Sequence, residues 1–376
     1  MLSIHPVNLN DKSQVNRFIH IPFQINAGNT NWVPPILMDV KTQLNKQKHP
    51  YYEHSDGEFF MAEQDGRPVG RLAVFENKPY NAFHNKKQAH FYFFESEQDL
   101  EITSALFERA FEWARNRGLT QIVGPKGLGP LDGYGIQVEG FEHRQMMTMM
   151  NYNPPYYPTL LEELGFRKEV DFVSCYLNAN EFQMPERIHS IADRVQQRGT
   201  LRVHRFKSRS EMLRWAKKIG DAYNKSFIHN WEYYPLTERE IDFVVNNILT
   251  IAVPSLIKII VHDEDVVGFL FGFPDVSAAL QRSKGRLFPF GIVDLMLEMR
   301  RTDWIALNGI GILPEFQGRG GNALMYSEME KTIKESGRYR HADLTQVAES
   351  AEDMRSDLKN VGGHEYKNHR VYIRDL

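Results

Sequence analysis

Gln317-Gly318-Arg319-Gly320-Gly321-Asn322-Ala323 is the stretch whose residue types and spacing point most directly to chemistry. Three glycines let the backbone approach a ligand without side-chain interference. Arg319 adds a positive charge, and no acidic residue interrupts the run. The preceding Trp304–Ile312 reads as a strand. The following Asn322–Ser336 reads as an amphipathic helix, with Ala323, Leu324, Tyr326, Met329 and Ile333 on one face and Gly337 at its end. A strand, a glycine loop and a helix N-terminus in that order aim backbone N–H groups at one point, which makes an anion site. A phosphate or pyrophosphate is the group such a loop would hold.

The elements that must position this loop recur in the chain. Phe59–Phe75 reads as a hairpin turning at Asp65-Gly66, and Ile257–Gly272 as a second hairpin with a charged turn. Each carries a Val-Gly step after its turn, Val69-Gly70 and Val267-Gly268. A helix over Asp99–Arg117 with a buried-type face matches the one over Asn322–Ser336. Leu160–Phe166 and Met354–Gly363 each close a helix on glycine before a strand. The order hairpin, helix, strand, helix, strand thus occurs twice, which predicts a structural duplication. At 376 residues the chain has room for two domains. The expected division is 1–178, a linker over 179–200, and 201–376. The fold class is α/β (α+β), two tandem domains with mixed, mostly antiparallel sheets flanked by helices.

Ile312-Leu313-Pro314 followed by Gln317-Gly318-Arg319-Gly320-Gly321 resembles the acyl-CoA-binding signature of the GNAT superfamily of N-acyltransferases. The resemblance implies that Gln317, Gly318, Arg319, Gly320, Gly321, Asn322 and Ala323 hold the CoA pyrophosphate. It also implies that Ile310 and Ile312 at the strand end pair with the pantetheine arm and polarise the acyl carbonyl. Asn322 departs from the small residue the pattern expects. The helix position where the family carries a general-acid tyrosine is Leu358 here, so Tyr372 or Tyr326 is left as substitute. Glu349, just past the next strand, is the candidate general base, and Asn308 is a candidate for substrate binding. The first half follows the GNAT order without the signature: the loop before its helix has no glycine, and Glu95, Glu97 and Asp99 would repel a pyrophosphate. Phe93-Phe94-Glu95-Ser96, Gly124-Pro125, Val138-Glu139-Gly140-Phe141 and the Asn151–Tyr157 run resemble a bacterial tandem-GNAT family with a degenerate first domain.

The resemblance implies acetyl-CoA or another acyl-CoA as co-substrate and a small-molecule or peptide amine as acceptor. A net charge of −3 and the absence of basic runs speak against nucleic acid. Cys175 is the only cysteine, which suits a reducing compartment. No run reaches the ~20 apolar residues of a membrane span, so the expectation is a cytoplasmic protein. His364 and His369 are five residues apart and do not share a helix face, so no metal site is expected. The loop Gly124–Gly135 lacks the ending of a phosphate loop; with the Asn151–Tyr157 aromatics it is a candidate wall of a substrate groove. Two other classes fit parts of the pattern: a non-catalytic acyl-CoA-binding or sensing protein, and a Fem-type aminoacyl transferase.

Overall fold

The computed structural model describes residues 1–130, 132–146, 150–228, 231 and 233–376, with the backbone alone at 249, 250 and 353. It divides into two compact units. The first is Met1–Val173 with Ser277–Leu297 and Tyr366–Leu376; the second is Ser174–Val276 with Glu298–Glu365. The stretch 179–200, expected as a linker, carries a helix within the second unit, and the last strand groups with the first unit.

In chain order the first unit contains β1 (Leu2–Pro6), α1 (Lys12–Ile25), α2 (Leu37–Gln43), β2 (Asp56–Gln64), β3 (Arg67–Glu76), α3 (Lys78–His84) and β4 (Gln88–Ser96). It continues with α4 (Leu100–Arg115), β5 (Gln121–Gly124), β6 (Ile136–Glu139), α5 (Tyr157–Glu163) and β7 (Arg167–Asn178), whose last residues pass to the second unit. The second unit adds α6 (Glu186–Arg198), β8 (Arg202–His204), α7 (Arg209–Ser226), α8 (Glu238–Ile251), β9 (Ile257–His262) and β10 (Asp265–Pro274). The chain returns to the first unit for α9 (Ser277–Ser283) and the start of α10 (Gly291–Arg301). It then builds β11 (Trp304–Ile312), α11 (Gly321–Ser336), β12 (His341–Ala348) and α12 (Glu352–Asn360), and ends on β13 (His364–Asp375).

The two units repeat one plan. In the first, β1-β2-β3-β4 are antiparallel neighbours, β4 pairs parallel with β5, and β5 pairs antiparallel with β13. In the second, β8-β9-β10-β11 are antiparallel and β11 pairs parallel with β12. Each parallel pair needs a crossover, and α4 and α11 supply it. This is the expected duplication and the expected mixed, mostly antiparallel sheet.

Local chemistry explains the elements. Asp65 and Gly66 both take positive φ, the turn that matches strand twist in a two-residue hairpin. Asp99 caps α4 by accepting from the N–H groups of Glu101 and Ile102, and Thr237 with Glu240 forms the capping box of α8. Along β3, Leu72 and Val74 pack with the α4 face (Ile102, Leu106, Phe107, Ala110), while Ala73 and Phe75 pack with Phe18 and Ile21 of α1. Two buried faces make the stretch Leu72–Phe75 of this strand continuously apolar. In the second unit Met212 and Ala222 of α7 cover Ile257, Ile259 and Phe269. Cys175 is buried, and burial pushes its thiol up to about 12, so it is a packing residue.

Candidate functional site

The central strand of each unit is broken at one point. On β11 the pairing with β10 runs Gly268↔Ile312, Phe269↔Gly311, Leu270↔Ile310 and then jumps to Gly272↔Leu307. Asn308 and Gly309 therefore oppose the single residue Phe271, a β-bulge, with Gly309 at φ 83°. The parallel ladder with β12 ends at Leu307↔Leu344. Beyond the bulge, Gly309–Ile312 keeps β10 on one side and has no ladder partner on the other among the described residues. That free edge leads straight into the glycine loop.

The loop is shaped as its sequence implies. Gly318 and Gly320 have φ of 71° and 84°, backbone that L side chains rarely adopt. A Cβ on Gly320 would meet Val195 and Ile191 of α6 at 2.7 and 2.8 Å, and one on Gly321 would meet Ile312 at 2.8 Å. Gln317 closes the loop base by donating from Nε2 to the Ile312 carbonyl (3.3 Å). The Arg319 guanidinium lies over the Phe316 ring at 5.0 Å. Gly320 is the N-cap of α11 and supplies no side-chain cap, so the first N–H groups of a 16-residue helix point outward without an internal acceptor. Asn322, at the second helical position, is exposed. The corresponding helix of the first unit is closed by its own Asp99 carboxylate. One helix start is open to an anion and the other is filled.

The other expected residues fall as follows. Asn308 sits in the bulge, half-buried. Glu349 follows β12 in the same unit, half-buried, and its carbonyl accepts from Arg355 (3.3 Å). Tyr326 lies on α11, and burial, followed by Asp357, pushes its hydroxyl up to about 12. Tyr372 belongs to the core of the first unit: it is 1% exposed, its hydroxyl donates to Glu162 (3.1 Å), and burial drives its pKa up. The structure thus places every expected catalytic and CoA-loop residue except Tyr372 in the second unit. Before α8, Tyr233 and Tyr234 are buried, and Tyr234 donates to Glu240 (2.9 Å).

Sequence reasoning missed the matching break in the first unit. Phe93 has φ 52°, and the β3–β4 register jumps from Arg71↔Glu95 to Ala73↔Tyr92. The β4–β5 ladder ends at His90↔Val123. A phenylalanine at positive φ leaves no glycine in the sequence to mark the bulge. Beside it lies a cavity of about 260 Å³, walled by Trp32, Pro35, Phe93, Asp132, Asn151 and Tyr152 among others. Of the expected groove walls, Pro125, Asp132, Gly133 and Gly135 of the first stretch and Asn151, Tyr152, Asn153 and Tyr157 of the second line it. The glycine loop there turns its N–H groups on itself: the Asp132 carboxylate accepts from Leu128 (2.8 Å), Gly129 (2.9 Å) and Gln43 (2.6 Å). Burial pushes Asp132 up to about 6. Arg71, 5% exposed, borders the cavity between the Phe18 and Phe93 rings, 3.6 Å from Glu95. Glu95 also accepts from Tyr157 (2.8 Å), and burial raises its pKa.

Comparison with known proteins accords with this geometry. No family profile matches the chain. Over the whole chain the structure superposes on a tandem GNAT protein from the clavulanic acid biosynthesis pathway, with a TM-score of 0.56, 12% identity and 98% of that chain covered. A GCN5-related N-acetyltransferase from Sphaerobacter thermophilus gives a TM-score of 0.52, 12% identity and 95% coverage. The chain has the tandem GNAT fold. Among curated proteins, this GNAT-fold chain is 27% identical over 383 residues to the bacterial ceramide synthase of Caulobacter vibrioides, spanning 100% of the chain and 98% of that protein. It is 24% identical over 376 residues to protein YghO of Escherichia coli, covering 97% and 94%.

Proposed function

We propose that the chain is an acyl-CoA-dependent N-acyltransferase whose second unit binds the acyl-CoA and whose acceptor is a long-chain amino alcohol. The observation that carries the reading is the edge Gly309–Ile312, with no second ladder partner among the described residues, running into the start of α11, whose N-cap Gly320 has no side chain. An acyl-CoA has two groups that match these in order: pantetheine amides that extend a strand edge, and a pyrophosphate that takes helix N–H donors. The loop fits this ligand, because a Cβ at Gly318 would stand in open space and Gly320, the N-cap of α11, brings no side chain to the first N–H groups. Gly318–Ala323 would hold the pyrophosphate, Arg319 would add charge, and Ile310 and Ile312 would offer backbone groups to the acyl end.

The chemistry is direct transfer. The amine nitrogen forms a bond to the thioester carbonyl carbon, the carbon–sulfur bond breaks, and CoA leaves as thiolate. Backbone N–H groups at the β11 edge stabilise the oxyanion. Glu349 is the proposed acceptor of the amine proton, Asn308 a proposed acceptor-binding residue, and Tyr326, protonated at neutral pH, the proposed donor to the thiolate. Tyr372, held by Glu162 in the other unit, is not retained for that role.

The full-length similarity to a ceramide synthase supports this acceptor class, since a ceramide is the fatty amide of a long-chain 2-amino-1,3-diol. The test is incubation of the full chain with palmitoyl-CoA or acetyl-CoA and either such an amino diol or short amines, with products read by mass spectrometry. Amide formed from the amino diol supports the reading. Amide formed only from short amines overturns the acceptor class, and no amide with any pair overturns the reaction.

A further inference from the structure

The segment after α9 presents its apolar side chains to solvent. Phe288, Phe290, Val293, Met296 and Leu297 are 67, 79, 55, 55 and 39% exposed. They make five of the eleven exposed large hydrophobic residues among the described residues, gathered within ten positions, so they form a patch rather than scatter. On α10, Val293, Met296, Leu297 and Arg300 follow the i, i+3, i+4, i+7 spacing of one face. Phe290 extends that row by one turn, and Leu295, off the row, is 2% exposed. The helix is amphipathic with its richer apolar row turned outward, the reverse of a helix that packs on a core.

Charge selects the occupant. Arg282–Arg301 contains five basic residues, Arg282, Lys284, Arg286, Arg300 and Arg301, against Asp294 and Glu298. Asp294 is bound by Arg282 at 2.9 Å. The segment is locally positive in a chain of net charge −3. Two copies meeting through this patch would bring like charges together, whereas an anionic lipid surface meets the basic ends and the apolar row at once. No described helix is long and apolar enough to cross a membrane, so the segment would lie on the surface. It is also fixed to the cavity of the first unit. Leu280 borders that cavity, Gln281 donates to the Thr30 and Trp32 carbonyls (2.7 and 2.9 Å), and Leu37 donates to the Gly285 carbonyl (3.0 Å).

We propose that Lys284–Arg301 is a membrane-docking element that lays Phe288, Phe290, Val293, Met296 and Leu297 into the headgroup region of an anionic bilayer. The proposal does not depend on the acyl-transfer reading. It is tested by flotation of the full chain with vesicles of phosphatidylcholine alone or mixed with phosphatidylglycerol. Wild type should partition onto the anionic vesicles at least roughly 10-fold better than onto the neutral ones. Phe288→Ser/Phe290→Ser and, independently, Val293→Ser/Met296→Ser should each lower that partition roughly 10-fold or more. Lys284→Glu/Arg286→Glu should remove the preference for anionic lipid. All are exposed positions, and unchanged melting certifies the fold. Absence of wild-type binding, or variants that bind as wild type does, overturns the proposal. So does a wild-type dimer in light scattering that the phenylalanine variant converts to monomer, since the patch would then be a self-interface.

Discussion

Replacing Asn322 by glutamate separates binding at the glycine loop from folding. Asn322 is exposed at the second position of α11, whose N-cap Gly320 offers no side chain. A negative charge at a helix start stabilises the helix by about 0.3–1 kcal/mol through the macrodipole. The same charge faces the proposed pyrophosphate. At about 6 Å and an effective dielectric of about 20–40, each pair of like charges costs roughly 1.5–3 kcal/mol. That is about 10- to 100-fold in Kd. The expected result of Asn322→Glu is an unchanged or higher Tm together with acyl-CoA binding weakened by that factor in isothermal titration, and weakened less at high salt because exposed charges are screened. Asn322→Ala should bind nearly as wild type does. Glutamate at Gly320 would be a poorer probe, because its Cβ would collide with Val195 and Ile191 and lost binding could reflect lost packing. Wild-type affinity in a folded Asn322→Glu protein would refute the placement of the pyrophosphate at this helix start.

Two further predictions concern the first unit. Tyr157→Phe removes the hydroxyl that donates to Glu95 and accepts from the Ser96 N–H; leaving the Ser96 N–H unmet and the Glu95 carboxylate with Arg71 alone should cost about 2–3 kcal/mol, a fall of roughly 5–10 °C in the Tm of that unit by calorimetry. His369 is buried, its Nε2 donates to the Asn151 carbonyl, and burial lowers its pKa to about 4. The unfolded imidazole takes a proton below about pH 6.5 and the folded one only below about 4, so its neutral form contributes stability that is lost as pH falls through that window. His369→Gln keeps a donor for Asn151, and should reduce the acid-side loss of stability by about 3 kcal/mol in urea unfolding measured between pH 4 and 7.

Much of the architecture was legible because local signals agreed with the global fold. The Asp65-Gly66 turn, the helix over Asn322–Ser336 and the strand Trp304–Ile312 all stand where periodicity and glycine placement put them. The glycine loop was legible for the same reason: positive φ at Gly318 and Gly320 demands the residue type that betrays it. The bulge at Phe93 was not legible, since a large aromatic carries the left-handed backbone and continues an apolar run that reads as an unbroken strand. Tyr372 was misleading because strand periodicity shows that it is covered, not by what. Its partner Glu162 is 210 positions away in sequence. The outward apolar row of α10 has the same periodicity as an inward one, and only burial distinguishes them.

The central claim is that this chain moves an acyl group from CoA to an amine. Its most direct test is a single reaction of the purified full chain with palmitoyl-CoA and a long-chain 2-amino-1,3-diol, in which amide and free CoA thiol are measured together. The account predicts amide and thiol in equal amounts, both diminished by Asn322→Glu at subsaturating acyl-CoA. Thiol released without amide, or tight acyl-CoA binding with neither product, would contradict it.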